Sequence, residues 1–332
     1  MGGKNMQNSG LRASPWLGSA FAGLVLMATP VFAQAPTGPV EITVGSSAGG
    51  TPDVLMRSAA KILNEEKIVE NPLVVANRTG GSWTVASNYA LSKAGDKNTL
   101  MALAQPMIAT PIVQGSPNTF EKLNPISVFV QGELLLVVQP SSPFNSLADL
   151  VKAAKEKERG VRFAGAQTGG TDQMATGLLE KKAGVKLNYI PFDGGGAAQA
   201  AFLGNNVEAI FVSLEEGNGL IKSGKAKALA ILSKQRRPEA DFKDIPTATE
   251  QGVDLVWTQF WGIACPPDTD PALVKWWEEK IAKLVASPAW TSFLAKSYFT
   301  SNVVSSADSA AFLKEQHGIY VGVLRDLGLS KQ

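Results

Sequence analysis

The segment Val40-Glu41-Ile42-Thr43-Val44-Gly45-Ser46-Ser47-Ala48-Gly49-Gly50-Thr51-Pro52-Asp53 sets the plan of the chain. A short apolar strand, Val40–Val44, runs into the turn Gly49-Gly50, and a helix follows at once, with Thr51 as its cap and Pro52 at its first position. Leu55, Ala59, Ile62 and Leu63 fall on one face at helical spacing, so this helix is expected to bury that stripe. The same succession recurs at 73–76 before Gly80-Gly81-Ser82, at 161–166 before Gly169-Gly170-Thr171, and at 187–192 before Gly194-Gly195-Gly196. A glycine turn ahead of a helix leaves the first backbone N–H groups uncovered, at the positive end of the helix dipole. Such a turn receives an anion without a basic side chain. Two turns in each half of the chain imply two jaws around one acidic ligand.

Working outward, apolar runs at 100–104, 126–130, 134–139, 208–213 and 227–232 lack polar alternation, which suits strands covered on both faces. Ser146 with Asp149 has the form of a capping box. Asp270 and Pro271 open a helix that packs through Leu273, Trp277, Ile281 and Leu284. Strands alternating with helices in this way predict an α/β fold with mostly parallel sheets. A chain of 332 residues exceeds the usual size of one core. Residues 127–139 and 257–265 are the candidate crossings between two domains. One domain is expected to comprise 36–133 with 262–332, the other 134–261, with a ligand cleft between them.

Composition narrows the function. Lys4 and Arg12, the apolar residues 17–27, and Val31-Phe32-Ala33 read as a signal peptide over 1–33, cleaved near Ala33. No later stretch is long and apolar enough to span a bilayer, so an exported protein without membrane insertion is expected. Of 31 basic residues two fall in that leader, leaving 29 against 29 acidic ones. Such a neutral balance gives no reason to expect nucleic acid or anionic lipid as a partner. Cys265 is the only cysteine, so no intrachain disulfide can form, and it reads as a buried core thiol. One histidine and one cysteine, far apart, make no metal set, and no Walker or G-x-G-x-x-G motif opens a helix. No metal and no cofactor are expected. Gly45-Ser46-Ser47-Ala48-Gly49 does satisfy G-x-S-x-G, with Ser47, Asp268 and His317 in hydrolase order. But Gly50, Thr51 and Pro52 separate the serine from the helix, and His317 lies within the helical pattern of 310–327. No catalytic residue is therefore expected.

At these turns the chain resembles the tripartite tricarboxylate transporter solute receptors, the periplasmic family also called Bug proteins. The matching stretches are Ala48-Gly49-Gly50-Thr51-Pro52-Asp53, Asn77-Arg78-Thr79-Gly80-Gly81, residues 163–175, Ile190-Pro191-Phe192-Asp193-Gly194, and Phe260-Trp261-Gly262. Gly224-Lys225-Ala226-Lys227-Ala228-Leu229-Ala230 and Asp244-Ile245-Pro246-Thr247 extend the match over the second half. The resemblance implies a type II periplasmic-binding-protein-like Venus flytrap. It implies a small carboxylate held by loop N–H groups and ordered water, a partner permease in the membrane, and a monomeric receptor in the periplasm. Relatives usually carry glycine where Ser82 and Trp83 stand, often histidine at Gln173, and lysine at Asp193. The cradle is kept while the side chains around it differ.

The candidate ligand-binding residues follow. Ser46, Ser47, Gly49, Gly50, Thr51 and Ser82 offer backbone groups from the first jaw. Gln167, Thr168, Gly169, Gly170, Thr171, Gly194 and Gly195 offer them from the second. Asp53 either accepts a bond from a polar ligand group or serves the charge balance of its helix N-terminus. Trp83, Trp257, Phe260 and Trp261 are candidates to stack on an aromatic acid or to fill the core. Gln105, Asp193 and Ser213 are placed at the cleft. Glu215 and Glu216 either line it, where they would oppose a second free carboxylate, or cap the helix after Ser213. Arg78 pairs with a carboxylate or braces its loop.

Overall fold

The computed structural model describes residues 35–166, 169–192, 195–301 and 305–331. The expected leader, 1–33, and the candidates Gln167, Thr168, Asp193 and Gly194 lie outside them. Strand β1 (Val40–Val44) leads through α1 (Thr51–Glu65) to β2 (Leu73–Asn77), and α2 (Thr84–Leu91) leads to β3 (Thr99–Leu103). β2 and β3 flank β1, both parallel to it. After α3 (Pro106–Gln114) comes β4 (Asn124–Val138), then α4 (Leu147–Glu156). The pattern then repeats: β5 (Arg162–Gly165), α5 (Thr171–Ala183), β6 (Asn188–Pro191), α6 (Gly195–Leu203) and β7 (Ala209–Ser213). β6 and β7 flank β5, again both parallel. α7 (Leu214–Lys222), β8 (Lys227–Ile231), β9 (Thr258–Cys265), α8 (Pro271–Ala286), α9 (Pro288–Lys296), β10 (Thr300–Ser301) and α10 (Ser306–Asp326) complete the chain.

The strand order β2-β1-β3-β9-β4-β7-β5-β6 contains two equivalent triplets joined through β9 and β4. Within each triplet the chain leaves the central strand to one side and returns on the other. Each therefore has a topological switch point, and in open α/β sheets ligands lie outside the strand carboxyl ends there. The sheet is mixed rather than mostly parallel. β4 runs antiparallel to β7, β8, β9 and β10, and β9 antiparallel to β3. The apolar runs 126–130 and 134–139 are a single strand, because Gln131-Gly132-Glu133 pairs with residues 258–260 of β9 without a break. The first part of β4 pairs with β9 and β10, the last part with β7 and β8.

Helix faces match their spacing. Leu273, Trp277, Ile281 and Leu284 are the buried residues of α8, and α1 buries Leu55, Ala59, Ile62 and Leu63 together with Met56 and Ala60. Thr51 is not the cap of α1, as its sequence suggests, but its first residue; Gly50 takes the cap position. Ser146 Oγ accepts from the Asp149 N–H at 3.0 Å, while the Asp149 carboxylate turns to the Asn145 N–H. Cys265 closes β9, 1% exposed, and burial pushes its thiol up to about 12 against the lowering bond to Thr269. No helix among the described residues is long and apolar enough to cross a membrane.

Candidate functional site

The loop after β1 is held before any ligand arrives. The Asp53 carboxylate accepts from the Gly49 N–H at 2.9 Å, from Arg57 Nε at 2.9 Å and from Asn77 Nδ2 at 2.8 Å. Asn77 also donates to the Ser46 carbonyl, so β2 and α1 both tie this turn. Burial alone would raise the Asp53 pKa, but the Arg57, Gly49 and Asn77 hydrogen bonds outweigh it and hold the group below the usual aspartate value. Asp53 thus points away from the cavity and braces the loop. Gly49 has a φ of +82°, which its missing side chain permits.

A cleft or cavity of about 300–1,000 Å³ is the usual scale for a small-molecule site. Here one of about 700 Å³ lies at both switch points. Ser46, Ser47, Gly49, Gly50, Thr51, Trp83, Gln105, Thr171, Gly195 and Ser213 all line it. These residues stand at or beside the starts of α1, α2, α3, α5, α6 and α7, so helix N-termini surround a single space. Several N–H groups in these turns are already engaged. Gly50 donates to the Ser47 carbonyl, Gly49 to Asp53, and Gly169 to Gln173 Oε1 at 2.6 Å. Among the described residues the N–H groups of Ser47, Ala48, Thr51 and Thr171 make no such bond.

Other candidates fall outside the cavity wall. Ser82 sits in the loop before α2 with φ 48°, its carbonyl accepting from Thr110 Oγ1 at 2.8 Å. Gly169 rests against Val113 of α3, and Gly170 caps α5. Of the aromatic candidates, Trp83 and Trp261 reach the wall. Trp257 packs on Tyr320 and Phe260 on Phe312, both inside the core. Arg78 braces: its guanidinium pairs with Glu41 at 2.8 Å and stacks 3.6 Å from the Tyr89 ring centroid. Ser213 and Glu216 form a full capping box on α7, yet both also line the cavity. Ser47 reaches the cavity, but His317 lies on α10 with its ring 5.9 Å from Phe120, which is no part of that wall.

Four polar residues in the wall were not singled out by sequence: Thr79, Asp172, Gln199 and Gln259. The signal for Asp172 was its place near a helix start after a glycine turn, the position type that Asp53 also occupies. The two diverge in tertiary setting. Asp172 Oδ2 accepts from the Ala166 N–H at 2.8 Å, and among the described residues no cation pairs with it. Burial, reinforced by the neighbouring Glu216 charge, lifts its carboxyl to about 6 despite that bond. Gln105 is 2% exposed, and its Nε2 has no hydrogen-bond partner.

An α/β sheet with two switch points, and helix N-termini gathered about one cavity between them, defines a solute-binding protein of the periplasmic type. Residues 55–329 match the Tripartite tricarboxylate transporter family receptor, and the chain belongs to that family of receptors, not of enzymes. It is 28% identical over 308 residues to Protein BugT of Bordetella pertussis, covering 91% of this chain and 93% of the relative. A TctC solute binding protein from Polaromonas, solved with no ligand, superposes with a TM-score of 0.71 at 28% identity, covering 88% of this chain and 99% of the other. An R. palustris protein solved with adipate gives a TM-score of 0.80 at 23% identity, covering 89% and 99%.

Proposed function

We propose that this chain is an exported receptor that captures a small carboxylate and passes it to a membrane permease of the tripartite tricarboxylate type. The observation that carries this reading is the cavity wall itself. Its described residues include helix starts from both triplets and no lysine, arginine or histidine. Each helix end contributes only ~0.3–1 kcal/mol to an exposed anion and up to ~2 kcal/mol when partly buried. Binding therefore needs several ends to act together. The adipate held by the R. palustris protein supports a carboxylate as the class of ligand.

In this reading residues 36–133 with 262–332 form one lobe and 134–261 the other. The solute docks on the N–H groups of Ser47, Ala48 and Thr51, and closure about Gln131-Gly132-Glu133 then brings Thr171, Gly195 and Ser213 onto it. Contacts made only in the closed form drive that closure, and exclusion of water strengthens the N–H···carboxylate bonds. Residues 1–33 direct export to the periplasm and are removed. Trp83 and Trp261 in the wall favour a flat, aromatic acid as a second candidate beside aliphatic di- and tricarboxylates. A thermal-shift screen of aliphatic and aromatic acids, followed by calorimetry on the hits, tests the reading. A binding acid raises the melting temperature and alters tryptophan fluorescence. A complete absence of acid binding would sink it.

A further inference from the structure

The two sides of the cavity differ in sign. On the side built from β1 and β3 the wall carries uncommitted hydrogen-bond donors: among the described residues the N–H groups of Ser47, Ala48 and Thr51 make no bond, and Gln105, also a wall residue, keeps its Nε2 buried without a partner. On the side built from β5 and β7 the ionisable groups are two carboxylates, Asp172 and Glu216. Each spends one bond on its own loop, to the Ala166 N–H at 2.8 Å and the Ser213 N–H at 3.1 Å. A carboxylate has about four lone-pair sites, so each keeps acceptor capacity for a ligand. No lysine, arginine or histidine among the described wall residues offsets them.

Resting on the carboxylate reading above, we propose that the solute is a zwitterion, its carboxylate on the Ser47–Thr51 and Gln105 side and an ammonium group against Asp172 and Glu216. A second carboxylate on the ligand would meet two like charges in a partly water-excluded space, which is strongly unfavourable. An ammonium there supplies the missing countercharge and three donors. Discrimination thus comes as much from repulsion of the wrong solute as from attraction of the right one.

Matched pairs test this at pH 7.5 by calorimetry on the purified protein: β-alanine with succinate, 4-aminobutyrate with glutarate, and 5-aminovalerate with adipate. Each pair differs only in an ammonium replacing a carboxylate. The best amino acid is expected to bind at least tenfold more tightly than its paired diacid. The double variant Asp172→Asn/Glu216→Gln keeps both loop bonds, and it should shrink that ratio at least tenfold. Circular dichroism verifies that the variant is folded. A diacid that equals or outbinds its partner on the native protein overturns the inference and leaves the carboxylate reading intact. If neither series nor any other acid binds, the carboxylate reading itself falls, and this inference with it. A ratio that survives in the folded double variant assigns the preference to other residues and overturns the roles of Asp172 and Glu216.

Discussion

The Trp83 ring packs against Gly45, so close that a Cβ on Gly45 would overlap ring atoms Cγ, Cδ2 and Cε3. In the second triplet a Cβ on Gly165 would likewise overlap an aromatic side chain, at the hydroxyl end of Tyr189. Each glycine ends or follows the central strand of its triplet; Trp83 comes from the loop after the neighbouring strand β2, and Tyr189 from the neighbouring strand β6 itself. Trp83 holds this place with φ 75°, following Gly80, Gly81 and Ser82, all with positive φ. A left-handed non-glycine residue costs about 1–2 kcal/mol. Glycine at Ser82 and Trp83, as the resemblance implies for relatives, would avoid that strain. Here the buried ring offsets it by packing into the core while also lining the cavity.

Gly45→Ala is therefore expected to displace the Trp83 ring. Overpacking of this kind typically destabilises by about 1–3 kcal/mol, and the ring's movement should weaken ligand binding at least tenfold. Denaturant melts and calorimetry on the variant measure the two effects separately. Unchanged affinity would mean that the ring does not shape the site.

Asp53→Asn removes a charge that Arg57, Asn77 and the Gly49 N–H all satisfy in a position 2% exposed. Hydrogen bonds to charged groups contribute about 1.5–3 kcal/mol each, so a loss of a few kcal/mol is expected near neutral pH. Because the folded Asp53 pKa is depressed below 3.8, this contribution is complete above the unfolded value and fades as pH falls through the folded one. Melting curves of the two proteins should converge below pH 3.8 and separate above it.

Asp172 has the opposite sign. Its folded pKa of about 6 exceeds the unfolded 3.8, so the folded state holds the proton more tightly across that window. Native stability then falls as pH rises from 3.8 to about 6, and the penalty stays constant beyond. Asp172→Asn should raise the melting temperature above pH 6 and leave it unchanged below pH 4. Glu216 is the other charged group acting on this carboxyl, so Glu216→Gln should leave the onset near 3.8, lower the pH at which the effect levels off and shrink its size.

Tyr298 donates its phenol hydrogen to Asp241 at 2.7 Å and accepts from Asn218 at 2.8 Å, with its ring edge-on to Phe242 at 4.8 Å. It precedes β10, which pairs with the first part of β4, whereas Asn218 lies on α7 beside the last part. Tyr298→Phe keeps the ring contact and loses both hydrogen bonds. Stability should drop by about 1–3 kcal/mol, since Asn218 and Asp241 keep other partners or solvent. Amide exchange around β10 and α7 should quicken. Unaltered exchange there would show that the clasp is not a restraint.

Much of the fold was legible in the sequence. Strand runs without alternation, glycine turns and the α8 stripe of Leu273, Trp277, Ile281 and Leu284 each rest on local spacing, and each stands in the structure. The antiparallel β4 and β9 were not legible as such, because an apolar run has the same composition in either direction. The site was legible as a set of turns but not as a set of roles. Ser47 and Thr51 keep their N–H groups uncommitted, while Gly49, Gly50 and Gly169 spend theirs within the loops. Which lone pair meets which amide depends on a few tenths of an ångström, and residue order does not carry that information.

What residue order determined was the element sequence, the turns at the strand ends and membership of a receptor family, since these follow from short-range periodicity and backbone chemistry. What only the tertiary structure decided was the division of labour between two aspartates near helix starts. Asp53 was turned into a network with Arg57 and Asn77, and Asp172 was left in the wall of the cavity that Gln105 also lines. The reason is that a carboxylate's role depends on which donors surround it in space, and those donors come from strands and loops far away in the chain.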